Sequence, residues 1–366
     1  MAGLSIGTAG AGMNIGIAGA GLLGRLLAWR LARAGHRVSV FDPAAGPEPR
    51  FDGHQAAGFT AAGMLSPLAE LDNSSAEVAA LGWRSIGLWR DTVAALQAQP
   101  HFAARGSLLL AHRGDAGAAQ RVLSRLALAA PGTPRAELLT AGRLAGLEPA
   151  LQGAAQAWLL PGEGQIDSVA AMLALQAEAP GVRWHWRQAV LEAGPGELAL
   201  ADAPARRFDL VFDVRGTGGR PALPVRGVRG ELVWLHAPGH GLTRPLRLLH
   251  PRHRVYIVPR PGDLLLVGAS EVESEDRSPV SLKSAVELMS AAHSVLPALA
   301  EARILRLDVN LRPALPDHQP RTELSPGLVR INGLFRHGWL LAPALVDDAL
   351  CGCGLLPQAP ALVAVS

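Results

Sequence analysis

Apolar and polar positions follow one informative pattern near the start of the chain. Ile15 to Ala18 is an apolar run that predicts a buried strand. After a turn of small residues, Leu23, Leu27 and Leu31 recur on one face while Arg25 and Arg33 fall elsewhere, the spacing of an amphipathic helix. Gly35 ends that helix, and Val38 to Phe41 predict a second strand with Asp42 at its tip. Further on, His54 to Glu70 shows neither strand alternation nor a helical stripe and reads as a long loop. Val78 to Gln99 predicts a helix with apolar residues all round it, hence well buried, with Trp83 and Trp89 as core residues. Gly106 to Ala111 predicts a strand, Leu138 to Leu151 a packing segment, and Ser168 to Ala179 a helix capped by Asp167 or Ser168. Val182 to Glu192 reads as strands, and Phe208 to Arg220 as a hydrophobic strand running into a glycine loop. From Val225 the character changes. Val228 to Leu235, Val255 to Pro259 and Leu264 to Ala269 are alternating or β-rich runs separated by Pro and Gly, which predict an antiparallel sheet. Ser281 to Ala302 predicts a helix, and Arg330 to Pro343 a strand, a loop and a helix start.

The turn between the first strand and helix carries chemistry. Gly19, Gly21 and Gly24 have the spacing G-x-G-x-x-G. The first glycine allows the tight turn, the second lets backbone approach a pyrophosphate, and the third lets helix and strand pack closely. The helix N-terminus offers N–H groups and partial positive charge to phosphates. Asp42 suits both hydroxyls of an adenosine ribose. A two-lobed nicotinamide domain would continue with another strand–helix–strand unit. Here a small-residue loop follows instead, which can lie flat against a large planar ligand and favours a flavin.

Composition narrows the picture modestly. A chain of 366 residues can bury a large core and suits two domains. Thirty-four basic against 31 acidic residues, net +3, without a Lys/Arg-dense tract, excludes a nucleic-acid binder. Two cysteines, Cys351 and Cys353, cannot build a disulfide framework; they fit packing in a terminal helix and a reducing cytoplasm. The first 24 residues lack charged side chains, but they have no basic n-region and run into the nucleotide motif, so neither export nor a membrane span is expected. Residues 1–12 read as a disordered leader. No metal-ligand, Cys–His or Ser–His–Asp constellation stands out, and His250 and His253 lack a matching pair. Oligomeric state is not specified, which leaves a homo-oligomer open.

The run AAGMLSPLAE, Ala61 to Glu70, downstream of the nucleotide motif, resembles the glycine oxidase branch of the D-amino acid oxidase family, and the likeness continues along most of the chain. The resemblance implies an α/β protein. It would have a Rossmann-like FAD-binding domain, from residues 13–90, 150–225 and 306–366, and a second, antiparallel-sheet (α+β) substrate domain from 91–149 and 226–305. It implies non-covalent FAD held by Gly19, Gly21, Leu22, Leu23, Gly24 and Asp42, by Ala62, Gly63 and Met64, and by the backbone of Val190. Gly216, Gly218 and Gly333 would pass near the flavin, and Arg336, His337, Gly338, Trp339 and Leu340 would bring a helix N-terminus to its N1–C2=O edge. The implied reaction oxidises a small amino acid, glycine or sarcosine, to an imine with O2 reduced to peroxide, and the imine would feed thiamine thiazole synthesis. A dehydrogenase passing electrons to a quinone or protein, and a non-catalytic flavoprotein, share these motifs.

Three residues would carry the substrate. Tyr256, the only tyrosine, sits in the strand-like run VYIVPR and matches the family tyrosine that donates to the substrate carboxylate; an interior tyrosine bonded to a carbonyl is the alternative. Arg312 stands between apolar Leu311 and Pro313, so its guanidinium is desolvated and needs an anion. The resemblance makes it the carboxylate clamp, with a structural pair to Asp308 or Asp317 as the alternative. Arg336 matches a family position whose carbonyl meets the amine. The sequence departs from the family at Asn310, where Gly is usual, at His337, where Asn is common, and at Glu271, where Met is common. His337 is read as structural, and Glu271 puts the exact substrate in doubt.

Overall fold

The computed structural model describes residues 12–249 and 254–356. Gly12 excepted, the expected leader lies outside them, as do His250 and His253. A six-stranded sheet runs in the order Arg321–Ser325, Leu328–Asn332, Leu210–Asp213, Asn14–Ala18, Arg37–Asp42, Arg183–Trp186, parallel except for the hairpin at its first edge. The central strands are buried on both faces, which is why they read as continuous apolar runs. The helix Leu22–Arg33 lies against the helices Ser168–Ala177 and Gly338–Gly352, and Leu26, Leu27, Phe212, Met172 and Leu341 meet in one core. Trp89, fully buried in the helix Ala76–Ala95, stacks on Trp339 and donates Nε1–H to its carbonyl at 2.7 Å.

An eight-stranded sheet follows the order Arg303–Ala314, Arg226–His236, Leu264–Gly268, Arg254–Arg260, Leu246–Leu249, Ser107–Ala111, Gln156–Leu160, Glu137–Leu138. It is antiparallel except where Leu246–Leu249 meets Ser107–Ala111. Its strands alternate: Val233 and Leu235 face the helix Leu282–Val295, while Leu232 and Trp234 face the opposite way with Val258, Leu266 and Ala62. No helix among the described residues is long and apolar enough to cross a membrane, and no group of three metal-ligating side chains occurs among them.

Several expectations shift. The boundary at 305/306 cuts the strand Arg303–Ala314, which pairs along its whole length with Arg226–His236, and Gln156–Leu160 also joins this sheet. Val182 to Glu192 divides between two sheets, as Arg183–Trp186 and Val190–Gly194. The helix after Ser281 stops at Val295, because Pro297 cannot continue it and a 3-10 turn Pro297–Glu301 follows. The 54–70 stretch holds two single-turn helices, Ala57–Thr60 and Pro67–Glu70, around a two-residue strand. Asp167 is the cap, its Oδ1 accepting from the N–H groups of Val169 and Ala170. Arg25, off the leucine face, is buried as well, donating to the carbonyls of Ala20, Met172 and Pro47, and burial lowers its pKa to about 10.

Candidate active site

A cavity of about 820 Å³ lies between the two large sheets and takes its walls from both. At one end is the glycine turn. Gly19 adopts φ +103° and donates to the Phe41 carbonyl at 2.8 Å, closing the first strand onto the second. A Cβ on Gly24 would stand 1.9 Å from the Gly19 carbonyl oxygen, so only glycine permits this approach. A Cβ on Gly21 would meet nothing nearer than Ala56 Cβ at 3.7 Å. Gly21 lines the cavity, so a ligand, rather than the protein, is what its missing side chain accommodates. No side chain caps this helix, and its first turn holds no acid, so its N–H groups face no built-in anion. Asp42 accepts from the Ala20 N–H at 2.7 Å and the Ala44 N–H at 2.8 Å while lining the cavity, and a carboxylate retains lone pairs beyond these two.

The residues expected to meet the cofactor are largely brought together. Gly19, Gly21, Leu22, Leu23, Asp42, Ala62, Gly63, Met64, Val190, Gly216, Gly218, Arg336, His337, Gly338, Trp339 and Leu340 all line this cavity. Gly24 and Gly333 do not. Gly333 serves a turn instead, at φ +76° with Leu315 and the Gln319 carbonyl where a side chain would go. The Val190 carbonyl is occupied by the Arg215 guanidinium at 2.8 Å, which itself pairs with Asp213. The helix Gly338–Gly352 starts at the cavity wall without an acid in its first turn. Glycine turn, uncapped helix, open acid and cavity size together fit a dinucleotide such as FAD.

Arg312 and Tyr256 sit at the antiparallel-sheet end. Arg312 pairs with neither Asp308, which takes Arg306 at 3.0 Å, nor Asp317, which lies 3.8 Å from Arg321. Its guanidinium donates to two carbonyls, of Arg229 at 3.3 Å and Ser270 at 3.0 Å, and no carboxylate among the described residues lies within ion-pair distance. Burial lowers its pKa. Two glycines make room. A Cβ at Gly230 would fall 2.5 Å from the Arg312 guanidinium, and one at Gly268 would fall 2.6 Å from the Tyr256 ring. Behind Arg312, the buried Arg229–Glu231 pair at 2.7 Å holds Ser270, whose hydroxyl donates to Glu231 at 2.8 Å.

The sequence alone did not point to Glu70 or Arg247, and it marked Asn310 only as a departure from the family. Glu70 accepts from Arg336 at 2.9 Å and Arg247 at 3.2 Å, with His337 Nδ1 at 3.3 Å. Burial would raise the Glu70 carboxyl, but the field of His337, Arg336 and Arg247 outweighs it and holds the group at about 2. Burial lowers the His337 pKa, so the ring is neutral at pH 7 and the arginines keep Glu70 ionised; its Nε2 lies 3.1 Å from the Ser74 hydroxyl. Arg247 stands directly across from Tyr256 in the strand register, a proximity that alternation in Leu246–Leu249 could have suggested. Asn310 donates to the Gln55 carbonyl and the Thr60 hydroxyl, stitching the loop onto the sheet where glycine could not. Glu271, half exposed, lines the cavity 3.8 Å from Arg336. Phe335, immediately before Arg336, takes φ +48°, strained for a non-glycine residue.

A glycine turn with an uncapped helix at one end of a cavity and a desolvated cation at the other suit redox chemistry on a small anion, carried by a bound dinucleotide. Residues 14–347 match the family described as FAD dependent oxidoreductase (DAO), and the chain belongs to that family: it is an enzyme and its cofactor is FAD. It is 36% identical over 327 residues, 89% of this chain and 91% of the relative, to the "Putative thiamine biosynthesis oxidoreductase ThiO" of Rhizobium etli. It is 26% identical over 355 residues, 88% of each chain, to the glycine oxidase of Geobacillus kaustophilus. The crystal structure of a glycine oxidase from that organism superposes with a TM-score of 0.80 at 24% identity, covering 97% of this chain and 98% of that one.

Proposed function

We propose that the enzyme oxidises a small amino acid, glycine first and sarcosine or small D-amino acids next, to the imine, with O2 reduced to hydrogen peroxide. The observation that carries this reading is Arg312, a part-buried guanidinium at the cavity wall with only carbonyls as hydrogen-bond partners. Its planar fork suits a carboxylate through two parallel hydrogen bonds. Tyr256 lines the same wall and adds a donor to that carboxylate, so together they fix Cα in the cavity. The Arg336 carbonyl takes the amine. His337 bonds the Ser74 hydroxyl through Nε2 while its Nδ1 lies beside Glu70, so it is assigned no role as the base and the amine enters neutral. The glycine turn, Asp42, the 62–64 loop, Val190, Gly216, Gly218 and the 338–340 helix start would hold FAD non-covalently, and the bound flavin would supply the hydride-accepting chemistry and the route of the electrons to O2. In this reading the six-stranded sheet with its helices forms the cofactor side, and the eight-stranded sheet, Arg303–Ala314 and Gln156–Leu160 included, the substrate side. The imine suits a thiazole-forming step of thiamine synthesis, as the relatives' names suggest.

The test is a panel of glycine, sarcosine and D-alanine in air, with peroxide and residual amino acid both measured. Equimolar peroxide is expected. Bleaching of the flavin by glycine without air, but no peroxide in air, would replace O2 with another acceptor. No bleaching by any of the three would end the reading.

A further inference from the structure

The Glu70 cluster does more than pack. At the antiparallel-sheet end of the cavity, three guanidinium groups, of Arg247, Arg312 and Arg336, stand with two carboxylates, of Glu70 and Glu271. Glu231, also on the wall, is closed by Arg229 and leaves the balance unchanged. Arg277, also on the wall, turns to the Gly53 carbonyl. Summed over those three guanidinium groups and two carboxylates, the cluster carries an excess of one positive charge. Glu70 binds one guanidinium with each oxygen, so both cations flanking Arg312 are spoken for. The Nε–H groups of Arg247 and Arg336 are buried without hydrogen-bond partners, so weakening Glu70 would leave two strongly cationic groups facing the substrate.

We infer that Glu70, assisted by Glu271, is a specificity-determining residue: by occupying Arg247 and Arg336 it limits the substrate to one carboxylate and excludes amino acids that carry a second. The inference rests on the proposed use of Arg312 as the carboxylate clamp. One carboxylate matches the excess charge of the cluster, and a second placed beside Arg312 would find Arg247 and Arg336 already held by Glu70, which is costly. Glu271 acts in the same direction from the mouth, more weakly because water screens it.

The experiment uses the FAD-loaded protein and two unreactive ligands that differ by one carboxylate, acetate and malonate, titrated through the flavin absorbance. In the wild type acetate binds more tightly than malonate by about tenfold or more. Glu70→Gln moves the ratio of the two dissociation constants toward malonate by about tenfold, and Glu271→Gln moves it the same way by about threefold. Combining Glu70→Gln with Arg247→Gln restores the charge balance and returns the ratio to within about threefold of wild type. A merely structural Glu70 would weaken both ligands alike, and an unmoved ratio in folded Glu70→Gln overturns the inference. If Glu70→Gln does not fold, Glu271→Gln decides: a shifted ratio supports the inference and an unshifted one overturns it. An enzyme that fails to oxidise glycine would defeat the proposed function yet leave both dissociation constants readable.

Discussion

Arg312 is held by carbonyls, which orient a guanidinium but do not neutralise it. A buried cation in that state gains most when a carboxylate arrives, so Arg312→Met should weaken glycine about thirtyfold or more, the loss of charge-assisted bonds worth roughly 2 kcal/mol or above. Tyr256→Phe removes one neutral donor, worth about 0.5–1.5 kcal/mol, and should cost about two- to twelvefold. Glycine KM and acetate affinity, measured for both variants, check the order; a larger loss from Tyr256→Phe would reverse the roles. These two residues were legible because each is locally odd, a charge between Leu311 and Pro313 and a lone tyrosine in a β-rich run. Glu70 was not. Its partners stand at 247 and 336, and nothing in a ten-residue window shows that three distant segments will meet on one carboxylate.

At the scale of elements, the helix Leu22–Arg33 is set against the first strand by the absence of one methyl group. Gly24→Ala would press a Cβ against the Gly19 carbonyl, backbone against backbone, with no side chain to swing aside. Overpacking of this kind costs about 1–3 kcal/mol and widens the turn, so the variant should release FAD more readily and unfold several degrees lower. Flavin fluorescence on dilution and thermal unfolding of the FAD-free protein separate the two effects; unchanged values of both would show that the helix tolerates the shift. The same strand–helix–strand unit was the most readable part of the chain, since spacing, periodicity and glycine placement agree there. Sheet membership was less readable. Alternation along Arg303–Ala314 suggests one buried face, yet Leu305 and Leu307 are exposed while Asp308 to Leu311 are all buried, and the pairing with Arg226–His236 depends on a partner about eighty residues away. The 54–70 stretch hid its single-turn helices because four residues are too few for a stripe.

Across the whole molecule, the two large sheets and the last helix are joined partly by charge. Glu70 comes from the loop after the first βαβ unit, Arg247 from the antiparallel sheet, and Arg336 with His337 from the turn that starts Gly338–Gly352. Burial opposes the ionised Glu70, yet the surrounding cations hold its folded-state carboxyl at about 2, against an ordinary value of 4.5. A folded pKa below the unfolded one means the unfolded chain binds more protons as pH falls. The stability this provides is fully present above about pH 5 and is lost as pH drops toward 2. Glu163 works the other way, since burial raises its carboxyl, so it favours the folded state at low pH and blunts the wild-type profile. The clean measurement is therefore a difference. Glu70→Gln should be less stable than wild type at pH 7, because Arg247 and Arg336 lose their shared anion, and the gap should close steadily between about pH 5 and pH 2 as the wild-type carboxyl protonates. Denaturant melts at several pH values give that gap directly, and a gap that stays constant across the window would mean these cations do not hold the Glu70 carboxyl down.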